Sequence, residues 1–239
     1  MGLFGKIFEK KVCGVCGNEI GLLGNNKLED ANMCNACAGK LSPYFVGRRH
    51  ATLAQIKEQL AYREENKRAV QKFNPTRTLG VDTKVYIDED DGKVAVCNKV
   101  NWREANPDIF DFSQVTGCDY EVEENRKEIR TTNADGRSVS YDPPRYEYDY
   151  DFYVTILVNH PYVGKIRFKV NRMTIERPHS AEYLSAENTC KDIRDALAGV
   201  REGVRQSKAP KTAMQCPHCM ATTIPDANGR CEYCGGSLY

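Results

Sequence analysis

The sequence predicts a multi-domain α+β protein. A small antiparallel β barrel or sandwich, closed by a C-terminal helix, would lie between two small cysteine-based modules. Eight of the eleven cysteines form four Cys-x-x-Cys pairs, two near each end of the 239-residue chain. Between these ends, segments of period-two apolar alternation are followed by one long apolar stripe of helical spacing.

Each terminal cysteine set has the spacing of a four-thiolate metal site. Two residues between cysteines let both thiolates of a tight turn face one centre, and a second turn completes a tetrahedron around Zn²⁺. The first set leaves 17 residues between its two pairs and the second leaves 11, which is typical of zinc ribbons. We therefore predict two structural zinc ions, bound by Cys13, Cys16, Cys34 and Cys37 at one end and by Cys216, Cys219, Cys231 and Cys234 at the other.

Other uses of these cysteines fit the sequence less well. A disulfide framework needs an oxidising compartment, and the sequence contains no secretory signal. A redox Cys-x-x-Cys normally occurs alone rather than in paired sets. Tetrahedral sulfur also suits iron, so iron remains the alternative to zinc. Separate sites are favoured over shared ones because each end supplies four ligands, which leaves His218 as a spacer between Cys216 and Cys219.

Composition and charge limit the classes of partner that we expect this chain to bind. Hydrophobic residues make up 41% of the chain and charged residues 28%, as in ordinary globular proteins. No apolar run approaches the roughly 20 residues that span a bilayer, so we expect a cytoplasmic protein without a transmembrane segment. The formal charge of +1 falls to about −3 with two loaded zinc sites, and no basic stripe for nucleic acid is visible. The short amphipathic leader, residues 1–8, leaves a weak membrane-surface contact open.

The N-terminal zinc-ribbon-like domain is predicted over residues 1–45, followed by a connecting amphipathic helix within residues 46–75. Thr52 and Gln55 form a capping-box pattern, and Leu53, Ile56 and Leu60 place one apolar face after it. The charged stretch 62–68 is expected to be solvated. Asn74-Pro75 ends the helix.

The central domain is predicted over residues 76–206 and consists mostly of strands. An Asp-Gly turn at 91–92 and a turn at 159–162 indicate two hairpins. The acidic run 88–91 lacks the ligand spacing of an EF-hand, which argues against calcium. Residues 140–150 are rich in tyrosine and broken by prolines. The predicted strands are 81–87, 93–97, 109–112, 115–122, 127–132, 152–158 and 163–170.

The strongest helical pattern in the chain closes this domain. Ser180 or Ser185 caps a helix whose apolar residues recur at three- and four-residue spacing. Residues 206–211 are predicted to be a linker, and residues 207–239 include the C-terminal zinc ribbon. The apolar stripe consists of Cys190, Ile193, Leu197, Val200 and Val204.

Three resemblances follow from these patterns. Residues 76–206 resemble bacterial pleckstrin-homology-like domains in element order, without a sharp motif. The first 70 or so residues resemble an uncharacterised four-cysteine domain of Gram-positive bacterial proteins, in Cys13-Gly-Val-Cys16-Gly17, Gly21-Leu-Leu-Gly24, Cys34-Asn-Ala-Cys37 and Leu41-Ser-Pro-Tyr-Phe. The last 25 resemble the zinc ribbons that end many bacterial proteins. The four-cysteine resemblance implies metal ligands and no particular activity.

No catalytic motif accompanies the metal ligands, so we expect no enzyme activity. The histidines at 50, 160, 179 and 218 are scattered and lack motifs, and the thiols at 97, 118 and 190 are expected to act as small apolar groups. Tyr146, Tyr148 and Tyr150 alternate with acids, which favours packing or a protein partner over nucleic acid.

The sequence therefore favours a cytoplasmic zinc-binding interaction or adaptor protein with an unidentified protein partner. A nucleic-acid-binding zinc-ribbon protein is one alternative. Membrane-surface recruitment through the pleckstrin-homology-like domain is another.

Overall fold

The computed structural model describes residues 11–208, 212–226 and 228–238. The predicted leader therefore lies outside the described residues, as do residues 209–211 of the predicted linker. The chain divides into two compact units. The first comprises Met1–Thr78, Asp82–Phe110 and Val158–Ile166, and the second comprises Leu79–Val81, Asp111–Leu157 and Arg167–Tyr239. The predicted division into four domains stays a prediction.

The described residues combine three α-helices with thirteen strands. The helices are α1 (Asn35–Ala38), α2 (Leu53–Lys72) and α3 (Ala181–Lys208). The short strands at the chain ends are β1 (Lys11–Val12), β2 (Glu19–Ile20), β3 (Asn25–Lys27), β4 (Asn32–Cys34), β12 (Met214–Gln215) and β13 (Thr222–Thr223). The remaining strands are β5 (Arg77–Gly80), β6 (Lys84–Asp88), β7 (Lys93–Cys97), β8 (Ile109–Asp111), β9 (Val115–Thr132), β10 (Ser138–His160) and β11 (Val163–Lys169).

The strands form antiparallel sheets, as predicted. A four-stranded sheet has the order β5-β6-β7-β8, and a three-stranded sheet has the order β11-β10-β9. Three two-stranded sheets pair β1 with β2, β3 with β4, and β12 with β13. The mixed α+β class, the C-terminal helix and the cysteine groups at both ends are therefore confirmed.

In the first unit, the N-terminal cysteine module, defined as residues 11–45, shares one core with the start of α2. Leu28, Met33, Leu41 and Ile56 are buried together, and Leu53 packs against them. The predicted capping box is present. The Thr52 hydroxyl accepts from the Gln55 amide at 3.3 Å, and the Gln55 side chain accepts from the Thr52 amide at 2.9 Å. The start of α2 is thus held against the cysteine module.

The buried face of α2 is largely polar, which corrects the prediction that residues 62–68 are all solvated. Residues at spacings of three and four are buried along the helix, in the order Ile56, Gln59, Arg63, Asn66 and Val70. Arg63 is 6% exposed and Asn66 is 4% exposed. Burial of a charge is tolerated only when the charge is paired, as Arg63 is with Asp108, and burial of a neutral amide only when it is hydrogen-bonded, as Asn66 is.

A buried ion pair joins three segments of the first unit. Arg63 Nη1 donates to Asp108 Oδ1 at 2.8 Å, and Arg63 Nε donates to the Lys40 carbonyl at 3.3 Å. Asp108 Oδ2 accepts from the Ser42 hydroxyl at 2.5 Å. This ion pair and its hydrogen bonds therefore connect the cysteine module, α2 and the segment before β8.

Asn66 extends this network by one helical turn. Its side-chain amide donates to the Pro107 carbonyl at 2.7 Å, and its Oδ1 accepts from the Ile109 amide at 3.1 Å. These bonds satisfy backbone groups that would otherwise be buried without partners. The loop before β8 is thus held by side chains of α2 rather than by a strand neighbour.

In the second unit, two strands are longer than predicted. The predicted strands 115–122 and 127–132 form the single strand β9, and the proline-broken stretch 140–150 belongs to β10. Since β11 has seven residues against 23 in β10, much of β10 can have a neighbour on one side only. Proline is tolerated where its missing N–H faces such an open edge, and because successive residues face opposite edges this applies to one of Pro143 and Pro144.

Helix α3 packs against β9 and confirms most of the predicted stripe. Ser180 is the cap, since its hydroxyl accepts from the Tyr183 amide at 3.2 Å. Cys190, Ile193 and Leu197 are fully buried, whereas Val200 and Val204 are half-buried. The helix continues to Lys208, so residues 206–208 of the predicted linker are helical. None of the described helices is long and apolar enough to cross a membrane.

We predict that Arg63→Met destabilises the first unit by about 3–5 kcal/mol, because Asp108 is left as an uncompensated buried charge. The chain's single tryptophan, Trp102, packs on Phe73 and Tyr86 in that unit. Urea unfolding followed by its fluorescence therefore reports this change.

The control for this experiment is Lys67→Met, which breaks the exposed pair with Glu64 and should leave the stability almost unchanged. Adding Asp108→Leu to Arg63→Met should recover much of the loss. An equal loss of stability in Arg63→Met and Lys67→Met would contradict the role assigned to the buried pair.

Candidate metal centres

The structure brings each terminal cysteine set into a compact four-sulfur group. The four Sγ atoms of each set lie within 4.8 Å of one another. Two sulfurs of the first set, those of Cys16 and Cys34, are 3.8 Å apart. In the second set, the sulfur pairs of residues 216 and 234 and of residues 219 and 231 are each 3.6 Å apart. A tetrahedron with metal–sulfur bonds of roughly 2.3 Å requires sulfurs about 3.8 Å apart, so both groups fit a metal ion.

The first centre is built from a tight turn and a helix start. The Gly17 amide donates to the Cys13 carbonyl at 2.8 Å, and Gly17 has a φ of +77°, which favours glycine. Cys34 caps α1, where its sulfur accepts from the Cys37 amide at 3.5 Å. The sulfur of Cys13 accepts from the Cys34 amide at 3.3 Å. Backbone donors therefore help to fix the positions of the Cys13 and Cys34 sulfurs.

The second centre uses two tight turns of the same kind. Each turn closes with an amide four residues after the first cysteine, at 2.9 Å for Met220 to Cys216 and 2.8 Å for Gly235 to Cys231. Both closing residues are left-handed, with φ of +60° at Met220 and +71° at Gly235. A methionine is strained in this conformation whereas a glycine is not.

The electrostatics of the first group favour a bound cation. Burial raises the pKa of Cys13, but hydrogen bonds from the backbone amides of residues 16, 34 and 15 outweigh it and lower the pKa to about 6. Burial and hydrogen bonds with the neighbouring thiols raise the pKa of Cys37 to about 12. One thiolate forms readily, but further negative charge is opposed. A divalent ion removes that opposition, because it is the largest local charge in such a site.

The two centres differ in the core that surrounds them. Cys13 and Cys37 belong to the core that also contains Ile56 of α2. Cys216 and Cys231 are buried with Leu238, and Met214 packs against them. The first centre is therefore part of a larger packed structure, and the second is the main element of a small one.

Two of the four histidines, His218 and His160, lie in packed positions. The His218 amide donates to the Cys216 sulfur at 3.4 Å, and its ring lies so close to Gly236 that a Cβ there would approach it to 2.6 Å. His218 lies outside the four-sulfur group, as a spacer would. His160 packs against the rings of Tyr62 and Phe110, and burial lowers its pKa.

The remaining thiols lie outside the two sulfur groups, and the Cys97 sulfur accepts from the Lys99 amide at 3.4 Å. Cys97 and Cys190 are buried, and Cys118 is half-buried. Burial raises the pKa values of Cys118 and Cys190 to about 12, so both are neutral thiols at physiological pH. A neutral thiol is a poor nucleophile and a poor metal ligand.

The three alternating tyrosines of β10 separate into two roles. Tyr150 is buried, with its ring 5.5 Å from that of Tyr183. Tyr146 and Tyr148 are exposed, and the Arg126 guanidinium lies 4.4 Å from the Tyr146 ring. The period-two spacing in the sequence places all three tyrosines on one face of a strand. It does not show where the packed part of the sheet ends.

Comparison with known proteins identifies one segment. Residues 11–59 match DUF4428, a domain of unknown function. This range contains the first centre and the start of α2, which share one core, and the match confirms the resemblance to an uncharacterised four-cysteine domain. No curated protein and no solved structure matches the chain.

We predict two zinc ions per chain, measured by elemental analysis of the purified protein. Cys13→Ser and Cys216→Ser should each remove one ion, because three thiolates hold zinc less well than four. Only Cys13→Ser should also lower the urea midpoint reported by Trp102, since only Cys13 lies in the core of that unit. Retention of two tightly held ions in either variant would contradict the assignment.

We also predict that Met220→Gly stabilises the second centre by about 1 kcal/mol, because it relieves a left-handed methionine whose side chain is exposed. The matched variant Gly235→Ala should do the reverse by a similar amount. Competition with a chromophoric chelator measures the zinc affinity of both variants. The release that is absent in Cys216→Ser is the one that belongs to the second centre. Equal zinc affinity in the two variants would show that backbone strain at these turns is irrelevant.

Proposed function

We propose that this chain is a non-enzymatic adaptor protein with two structural zinc sites. The observation that carries the proposal is the completeness of both four-sulfur groups. A catalytic zinc keeps a position open for water or substrate, whereas four protein thiolates close the coordination shell. The centres are thus suited to holding structure and not to activating a substrate.

The eight cysteines would hold the ions, and the backbone amides that donate to their sulfurs would orient them. When bound, zinc supplies folding free energy that such small modules cannot obtain from apolar burial alone. Zinc is favoured over iron by the ligand spacing, as the sequence indicated. The cytoplasm is the proposed location, because a reducing compartment keeps thiols available for metal.

A pleckstrin-homology-like middle domain is part of the proposal. Seven strands, in sheets of four and three, are followed by one C-terminal helix that packs on β9. This is the element order of such domains. The proposal assigns this domain to binding another protein rather than to catalysis.

The surface proposed for a partner is the β9–β10 arm, defined as residues 121–149. None of its residues is buried, and its charges are of both signs. Tyr146 and Tyr148 offer exposed aromatic area on a strand with an open edge, a combination that suits strand addition or aromatic anchoring by another protein.

The test is a pull-down of the zinc-loaded protein from its own cell lysate after nuclease treatment. We expect a stoichiometric protein partner that Tyr146→Ser/Tyr148→Ser removes and that Lys57→Gln, an exposed change on α2, leaves in place. Cys216→Ser/Cys219→Ser should remove the partner only if the second centre also takes part. Recovery of the bait alone would contradict an adaptor role, and retention of nucleic acid without nuclease would favour the nucleic-acid alternative.

A further inference from the structure

A cavity of about 810 Å³ opens in the unit that holds the first metal centre. Its walls come from the end of the cysteine module, the 3-10 turn Arg48–His50, the end of β7 and the loop before β8. This volume falls in the range of small-molecule sites, roughly 300–1,000 Å³. The cavity is separate from the four sulfurs and has no part in the proposed function.

The charged side chains that line the cavity are all positive. They are Arg48, Arg49, Arg63 and Lys99, and no aspartate or glutamate lines it among the described residues. Asp108 balances Arg63. No described carboxylate pairs with Arg48, Arg49 or Lys99. Three unbalanced cations around one concave surface concentrate anions there.

Arg63 adds buried hydrogen-bond donors to this lining. A guanidinium has five N–H groups, and the bonds to Lys40, Asn106 and Asp108 use three of them. The other two have no acceptor in the described part of the chain. Because Arg63 is only 6% exposed, an anionic oxygen in the cavity would satisfy donors that bulk water reaches poorly.

Beside the polar residues Ser42, His50 and Asn98, much of the remaining lining is apolar. Leu41, Phe45, Val96, Cys97 and Pro107 contribute to it, and all except the half-buried Phe45 are buried. A free inorganic anion would leave this surface without a partner. A ligand that carries an anionic group on an apolar body would match both parts of the cavity.

We propose that this cavity binds a phosphate monoester carried on an apolar body. The phosphate lies against Arg48, Arg49 and Lys99 and accepts from the two remaining N–H groups of Arg63, because guanidinium groups bind phosphate oxygens in a fork and a lysine adds a point charge. The apolar body lies against Phe45 and Val96. A soluble phosphate ester and a lipid headgroup share this chemistry.

The experiment is calorimetric titration of the full-length, zinc-loaded protein with phenyl phosphate, inorganic phosphate and phenol. We expect saturable binding of phenyl phosphate, roughly tenfold or more weaker binding of each of the other two, and a further loss of roughly tenfold in Arg49→Gln and in Lys99→Gln. Both substituted residues are exposed, so their replacement should leave the fold intact. Lys57→Gln removes an equal charge from α2 outside the cavity and should bind as the unaltered protein does.

Three results would overturn the site: no saturable binding of phenyl phosphate, an equal loss in Lys57→Gln, or phenol binding as tightly as phenyl phosphate. Flotation with vesicles of phosphatidylcholine and phosphatidic acid distinguishes a lipid headgroup from a soluble phosphate ester as the ligand. Flotation that phenyl phosphate abolishes identifies a lipid headgroup as the ligand. Phenyl phosphate binding without flotation identifies a soluble ester.

Discussion

The buried pair of Arg63 and Asp108 is the constraint on which the first unit depends. It lies where the end of the cysteine module, the middle of α2 and the loop before β8 meet, and each contributes a bond. Removing two charges from water is expensive, and their attraction offsets that cost only when the remaining donors and acceptors are also satisfied. The Ser42 hydroxyl donates to Asp108, and the Lys40 carbonyl accepts from Arg63, so part of this requirement is met. The pair therefore specifies how the three segments fit together more than it adds stability.

Because of this constraint, the first metal ion stabilises a larger packed structure than the second does. The first centre shares its core with α2, and α2 carries Arg63 on the same buried face. An ion bound by Cys13 and its partners thus stabilises a surface on which the helix and the loop before β8 are assembled. The second centre is supported by a small core around Leu238, so its ion contributes a larger share of the local stability. The same ligand chemistry stabilises one large unit and one small module.

The sequence was most informative where a single local rule decides the structure. Cysteine spacing predicted both sulfur groups because a two-residue gap nearly fixes the geometry of a turn. The stripe around Ile193 and the capping box at Thr52 follow from the period and the end chemistry of a helix. Arg63 and Asn66 were predicted to be solvated because their partners lie some 40 residues away in the chain, and no local pattern shows such a pairing. The length of β10 was missed because Pro143 and Pro144 normally end a strand, unless one of its edges is open.

We infer that both metal centres are closed four-thiolate zinc sites that hold structure. X-ray absorption at the zinc edge of the purified protein is the decisive measurement, because it reports the number and type of atoms bound to the ion. We expect an average of four sulfur ligands at about 2.3 Å, with no nitrogen or oxygen. A nitrogen or oxygen ligand at either site would show an open or mixed centre and would rule out two closed structural sites.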